Sequence, residues 1–491
     1  MTVDTGVQAS DDEPSWVQDA PLMQAWCRFV DAGPTPFTIP GHKRRAHLLS
    51  PLLGRLLESD VPLYGGADTM KLSAGVLAEA ERRGAQLWDV PWCRYSTGGS
   101  THANQVMCLA VGRPGDTVLV ARNAHRSVVS GLVLAGLRPV WLTPATDPRF
   151  GIPTGVTVQD VETALLEHPE AVAVFLVEPS YLGTLSDIAG IVAVAHRRDV
   201  PVVVDQAWAA HLGFTEPYPP HALQLGADAL VTSAHKALPA YSQASIVLAR
   251  LDRLDPDRLE RAFEAEHTTS PSATVLASTD ASRALLATDA GRALVRRTAD
   301  LVAGARERLR ASGLVVPGPE DFAPGRFDPA KLVLVLGPTG RSGLDVEQHL
   351  LHAGIPVEMA DRDTLVAMVS MLDDESTVGR FVTEVVGSLR DAGPARPVSA
   401  VPVVLPPQRC SPREAFFSAH ESVPREAALG RVSAELVAPY PPGVPVLVPG
   451  EEVTTQTLDA LDRALAAGNR IAYAADSTLR QLQVVRESPT A

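Results

Sequence analysis

At 491 residues the chain exceeds what one hydrophobic core supports, so two to four domains are expected. Apolar residues make 45% and charged residues 20%, an ordinary globular balance, and the net charge of −14 argues against a nucleic-acid-binding surface. Four scattered cysteines (Cys27, Cys93, Cys108, Cys410) form no CxxC pair, which sets aside a disulfide framework and a zinc site and fits a reducing cytoplasm. The polar, acidic start has no basic region followed by an apolar one, so no signal peptide is expected. No stretch approaches the roughly 18 apolar residues of a membrane span.

Residues 1–20 read as an N-terminal arm, disordered or loosely docked. Pro21 to Val30 suits a helix with Leu22, Trp26 and Val30 on one face, and a Pro-broken loop follows from Pro34 to Lys43. Leu72 to Leu87 is helical in composition. The glycines and hydroxyls of Thr97-Gly98-Gly99-Ser100-Thr101 then open a helix from His102 to Val111. Such a start gathers free N–H groups and the positive end of the helix dipole, which suits a phosphate; an ordinary Ser/Thr cap is the simpler reading.

Strands and helices alternate from there. Strands are expected at Asp116 to Ala121, Pro139 to Leu142, Ala171 to Val177, Val200 to Val204 and Ala229 to Val231. Helices are expected at Arg126 to Ala135, Val158 to Glu167 and Ile188 to Arg197. Apolar strands between helices predict a mostly parallel α/β sheet covered on both faces, with ligands at the carboxyl ends of its strands. The region from Asp252 to Leu314 reads as helical. A smaller α/β layer follows, with strands at Lys331 to Leu336 and Ile355 to Met359, another segment at Thr364 to Met371, and helices at Gly343 to Ala353 and Thr377 to Leu389. The Pro-rich run from Ala392 to Pro407 marks a linker. The expected units are therefore a large domain over 21–300, a small α/β domain over 301–395 and a C-terminal α+β domain over 396–491.

The chemistry converges on Lys236, in the run Thr232 to Ser245, on the turn leaving the apolar segment Ala229-Leu230-Val231. A lysine desolvated in a site has a lowered pKa and suits Schiff-base formation with a carbonyl. Asp205 ends a buried strand, and Ser233 and His235 flank the next strand end. His125 offers a flat ring for stacking. Together these meet the needs of pyridoxal 5′-phosphate: donors for its phosphate, a stacking face, a carboxylate for its pyridine nitrogen, and a lysine for its aldehyde.

The chain resembles the Orn/Lys/Arg decarboxylase family, a branch of the fold-type-I, aspartate-aminotransferase-like enzymes. The residues that carry the resemblance include Pro40-Gly41-His42-Lys43, Ser96 to Gln105, Asn123 to Ser127 and Glu178 to Gly183. Further on come Asp205 to Phe214, Ser233 to Ser245, Thr268 to Ser272, Ser411 to Phe417 and Tyr440 to Glu451. The likeness spans about residues 20 to 480 and matches the shorter members, which have no receiver-like N-terminal domain.

The resemblance implies α-decarboxylation of lysine, arginine or ornithine to cadaverine, agmatine or putrescine. It implies that Lys236 carries the cofactor, Asp205 pairs with the pyridine nitrogen and His125 stacks on the ring. Gly99, Ser100, Thr101, Ser233 and His235 would hold the phosphate, with Trp208 beside the ring. Lys236 or His235 would reprotonate the substrate carbon. A cationic side-chain end needs a carboxylate partner, and Glu451 is the expected one. The resemblance also implies a cytoplasmic homodimer or an assembly of dimers. Gln206, Trp208 and Glu178 depart from the pattern of many short members, which bears on substrate choice. An aminotransferase or lyase on the same scaffold is the competing reading, because fold does not fix reaction.

Overall fold

The computed structural model describes residues 14–33, 40, 42–63, 75–390, 393–398, 403–440 and 443–487. Gly41, most of the Pro34 to Lys43 loop, residues 72–74, much of the expected linker and Pro441-Pro442 lie outside them.

Seven strands build the main sheet: β1 (Trp92–Ser96), β2 (Thr117–Ala121), β3 (Arg138–Leu142), β4 (Val174–Val177), β5 (Val202–Asp205), β6 (Ala229–Ser233) and β7 (Ser245–Ala249). Their order is β1-β7-β6-β5-β4-β2-β3. Every neighbouring pair from β6 to β3 is parallel, while β7 runs antiparallel to both β1 and β6. The fully buried strands β4, β5 and β6 are apolar until their carboxyl ends, where Asp205, Thr232 and Ser233 fall, because helices cover both faces. The sequence pattern missed β1 and β7, the edge strand and its antiparallel neighbour, which fall outside the strand–helix alternation.

The helices that position the site are α1 (Gly99–Val111) and α2 (Arg126–Ala135). α1 starts at Gly99, three residues before the expected His102, because Gly99 takes a left-handed φ of 68° and turns the chain directly from β1 into the helix. α2 is capped by His125, whose side chain accepts from the Ser127 N–H, and closes at Gly136 in the left-handed conformation.

The 23-residue helix α3 (Asp289–Ala311) joins two cores. Val295 and Ala299 pack into the large core, whereas Val302, Ala305 and Leu309 pack with Leu332, Leu334 and Leu365. That second core covers an antiparallel sheet of β8 (Lys331–Val335), β9 (Met359–Ala360) and β10 (Thr364–Met368), in the order β8-β10-β9. The expected strand from Ile355 is thus reduced to two residues at its end. A third core gathers Val437, Leu447, Val453, Leu461 and Val484 of the C-terminal segment. At the other end of the chain the Ser15–Asp19 turn is docked rather than loose, since Asp19 pairs with Arg83 and Arg283.

Candidate active site

The parallel strands deliver their carboxyl ends to one edge of the large sheet, and the expected residues meet there. Asp205 is the last residue of β5 and is 5% exposed. Its Oδ2 accepts from the Asn104 side-chain amide at 2.7 Å, and its Oδ1 accepts from the Ala207 N–H at 3.0 Å. Both donors are neutral, so the carboxylate keeps its charge for a further cationic partner. Asn104 Nδ2 also donates to Ser127 Oγ at 2.9 Å. That leaves the Ser127 hydroxyl proton for His125 Nδ1, 2.8 Å away, where the Ser127 N–H also points. His125 Nδ1 is therefore an acceptor, and the neutral ring carries its proton on Nε2. Burial holds the His125 pKa below the usual histidine value, against the pull of Asp205.

β6 runs two residues beyond the expected Val231, so Ser233 itself ends the strand. Its hydroxyl lies 2.7 Å from Ser100 Oγ, in the first turn of α1. Gly99 N–H donates to the Gln243 carbonyl at 2.9 Å, fixing the turn from behind. Thr101 occupies the same helical turn and is exposed. The serine pair and the α1 N-terminus form a donor-rich corner suited to a phosphate.

Lys236 lies in the single helical turn Ala234–Ala237 after β6. Its Nζ is 3.8 Å from the centroid of the buried Trp208 ring. Burial pushes the Lys236 pKa down, while the charges of Asp205 and Glu358 pull it up. His235 uses Nδ1–H to donate to the Ala244 carbonyl at 2.8 Å, which leaves Nε2 as an acceptor. A second amine shares the same indole: Lys331 Nζ is 4.6 Å from the Trp208 centroid, and burial brings its pKa down to about 8.

Glu451 requires a correction. It was expected to meet the cationic end of a substrate, but it is fully buried and forked onto Arg122. Its Oε2 accepts from Arg122 Nη2 at 2.9 Å and from the Val448 N–H at 2.8 Å, and its Oε1 accepts from Nη1 at 2.5 Å. Arg122 also donates to the Pro445 and Val446 carbonyls. The pair fastens the C-terminal segment to the loop after β2, and both oxygens of the fully buried Glu451 are bonded within the fold.

A further carboxylate whose charge is felt at this edge is the exposed Glu358, just before β9. Its charge influences Lys236, Lys331, Tyr181 and Tyr440, and the Tyr181 ring packs edge-on against Trp208 with centroids 5.3 Å apart. Glu358 was missed because it belongs to a distant segment with no motif around it. Asn104 and Ser127 lay inside quoted runs, but only the fold reveals that they link His125 to Asp205. Gln206 and Glu178 turn into the framework: Gln206 accepts from the Ala222 N–H, and Glu178 accepts from the Ser186 N–H at 2.7 Å. Burial pushes Glu178 up to about 8.

The donor set fits pyridoxal 5′-phosphate. A corner of hydroxyls and helix N–H groups suits the phosphate, the buried Asp205 carboxylate accepts hydrogen bonds from neutral donors, and a desolvated lysine follows the next strand end.

Such a sheet, with this corner, carboxylate and lysine at its carboxyl edge, defines a fold-type-I enzyme. The family models described as Orn/Lys/Arg decarboxylase major domain and C-terminal domain match residues 20–318 and 399–471. The chain belongs to that family and is a decarboxylase. An arginine decarboxylase of Halalkalibacterium halodurans is 34% identical, over 96% of this chain and 98% of that protein. Lysine decarboxylase A of Pseudomonas aeruginosa superposes with a TM-score of 0.80 at 20% identity, over 95% of this chain and 80% of that one. A serine palmitoyltransferase solved with its pyridoxal phosphate internal aldimine has a TM-score of 0.53 at 17% identity, over 74% of this chain and 83% of that one. The last two likenesses establish a shared fold.

Proposed function

We propose that the protein is a pyridoxal-phosphate-dependent decarboxylase of a basic amino acid, with arginine as the preferred substrate. The observation that carries this reading is the Lys236 amine 3.8 Å from the centroid of the buried Trp208 ring, its pKa lowered by burial against the charges of Asp205 and Glu358. The arginine decarboxylase match over nearly the whole chain supports the choice of substrate.

The cofactor, when bound, supplies the sink for the electron pair left as CO₂ departs from the α-carbon. Lys236 would hold its aldehyde carbon, Ser100, Ser233 and the α1 N-terminus its phosphate, His125 one face of its ring, and Asp205 its pyridine nitrogen. The Asn104–Ser127 bonds keep His125 neutral and correctly turned. Decarboxylation breaks the bond between the α-carbon and its carboxylate, and a proton replaces the CO₂ lost. Lys236 is the group proposed to deliver that proton, because burial lowers its pKa and makes its ammonium a readier acid. His235 is the alternative source, once its Nε2 has taken up a proton beside the one that Nδ1 donates to the Ala244 carbonyl. Glu358 is proposed to receive the distal guanidinium, which a carboxylate can grip with two parallel hydrogen bonds. Tyr181 and Tyr440 would border that charge. A homodimer in the cytoplasm is proposed as the working form, and the units 21–300, 301–395 and 396–491 as its domains.

The test is a substrate panel of arginine, lysine and ornithine with added pyridoxal phosphate, scored by the amine released. Agmatine as the dominant product supports the reading. Cadaverine or putrescine in excess would reassign the substrate, and a keto acid without CO₂ would make the protein an aminotransferase.

A further inference from the structure

Behind the phosphate corner lie two histidines that none of the proposed chemistry uses. The Thr97 N–H donates to His267 Nε2 at 3.3 Å, and His267 Nδ1 donates to the Thr268 carbonyl at 3.0 Å. A carbonyl only accepts, so the proton sits on Nδ1, and Nε2 holds Thr97 through its lone pair. His102 repeats the arrangement. Its Nε2 donates to the Phe263 carbonyl at 3.3 Å, and its Nδ1 is 2.7 Å from Ser96 Oγ, whose own lone pair receives the Gly98 N–H at 3.0 Å. The Thr97 N–H thus hangs on an imidazole lone pair, and the Gly98 N–H on a hydroxyl that His102 orients. The rings touch, with centroids 5.1 Å apart, and His267 stacks on Phe263 at 5.0 Å.

We propose that His267, acting through Thr97, is a positioning residue for the phosphate-binding turn and holds that turn only while its ring is neutral. The inference rests on the pyridoxal phosphate reading above. A proton on Nε2 turns the acceptor into a donor facing the Thr97 N–H, so the bond is replaced by repulsion and the turn shifts. Burial lowers the pKa of both rings, that of His102 to about 4, and His267 is the one bonded directly to the Thr97 N–H. Among the groups around it, His102 is the titratable ring in contact. Glu264 and Glu266 on the preceding helix are exposed, and the Arg94–Glu260 ion pair lies beyond Phe263 and Trp92. The hold is complete above the His267 pKa and is lost as pH falls through it, below the ordinary histidine range.

The experiment measures pyridoxal phosphate dissociation from the holoenzyme, by its visible absorbance, from about pH 7.5 down to about pH 4.5 for wild type, His267→Gln and His267→Leu. The glutamine oxygen can accept from Thr97 and does not titrate. The wild type should lose affinity across this range about tenfold more steeply than His267→Gln, roughly the worth of one hydrogen bond. The phosphate's own titration acts on both proteins and cancels in that comparison. At pH about 7.5 the glutamine variant should bind like wild type, and the leucine variant should bind about tenfold more weakly. Parallel pH profiles, equal weakening by glutamine and leucine, or binding that tightens in acid as simple attraction of the phosphate would give, each overturn the proposal. A wild type that takes up no pyridoxal phosphate at pH about 7.5 overturns the function reading and this inference together.

Discussion

Two buried carboxylates, Asp205 at the end of β5 and Glu451 in the C-terminal segment, look alike in the sequence and differ in use. Each is at most 5% exposed, and each lies in a motif that carries the family resemblance. Asp205 is met by an amide and a backbone N–H, so its charge is solvated by neutral dipoles and remains available to an incoming cation. Glu451 is met by a guanidinium, so its charge is consumed inside the fold. Burial alone does not mark a reactive acid. What separates these two is whether a cation is hydrogen-bonded to the carboxylate.

That contrast predicts opposite phenotypes. Asp205→Asn should leave the melting temperature near wild type and lower kcat by roughly 10²-fold or more, because the amide preserves the packing and removes the charge proposed to keep the cofactor nitrogen protonated. Glu451→Gln should do the reverse. It strands the buried Arg122 cation and should cost about 3–5 kcal/mol in denaturant unfolding, while the protein that remains folded keeps its KM. Replacing both partners, as Arg122→Met with Glu451→Leu, should recover most of that stability. If Glu451→Gln instead raised KM with unchanged stability, the two roles would have to be exchanged.

Glu358 sharpens the comparison from the substrate side. Glu358→Gln should raise KM for arginine by about tenfold or more, the value of a charge-assisted hydrogen bond, with a smaller change in kcat. Steady-state kinetics on arginine check it, and an unchanged KM would remove Glu358 from substrate recognition.

Glu178 is a third buried acid, and its hydrogen bond comes from a backbone N–H. Its folded pKa of about 8 lies above the unfolded value, so the folded state binds the extra proton. Its contribution to stability is therefore greatest in acid, declines as pH rises toward about 8, and levels off above that. Glu178→Gln should flatten this part of the stability profile measured by chemical denaturation. A profile with the same slope in both proteins would mean that Glu178 is ionised throughout.

The parallel sheet was legible because buried strands are short apolar runs between amphipathic helices, and the helices Arg126–Ala135 and Val158–Glu167 fell where the pattern placed them. Lys236, Asp205, Ser100, Ser233 and His125 were legible because each follows a strand end or opens a helix, where such folds gather ligands. β7 was not, since its apolar run Ser245–Ala249 pairs antiparallel and breaks the strand–helix rhythm. The assignment of Glu451 to substrate failed because its partner lies 329 residues away, at Arg122. Glu358 escaped for the same reason: its charge reaches Lys236 only through the way distant segments pack. Pairing between distant segments is what local pattern cannot supply.

The most direct test of the account is the fate of arginine with purified protein and pyridoxal phosphate, wild type against Lys236→Ala. The wild type should release agmatine and CO₂ in equal amounts and show absorbance near about 420 nm, as a cofactor bound through lysine does. Lys236→Ala should lose that band and roughly 10³-fold or more of the turnover. Full agmatine production by Lys236→Ala would contradict the assignment of the site.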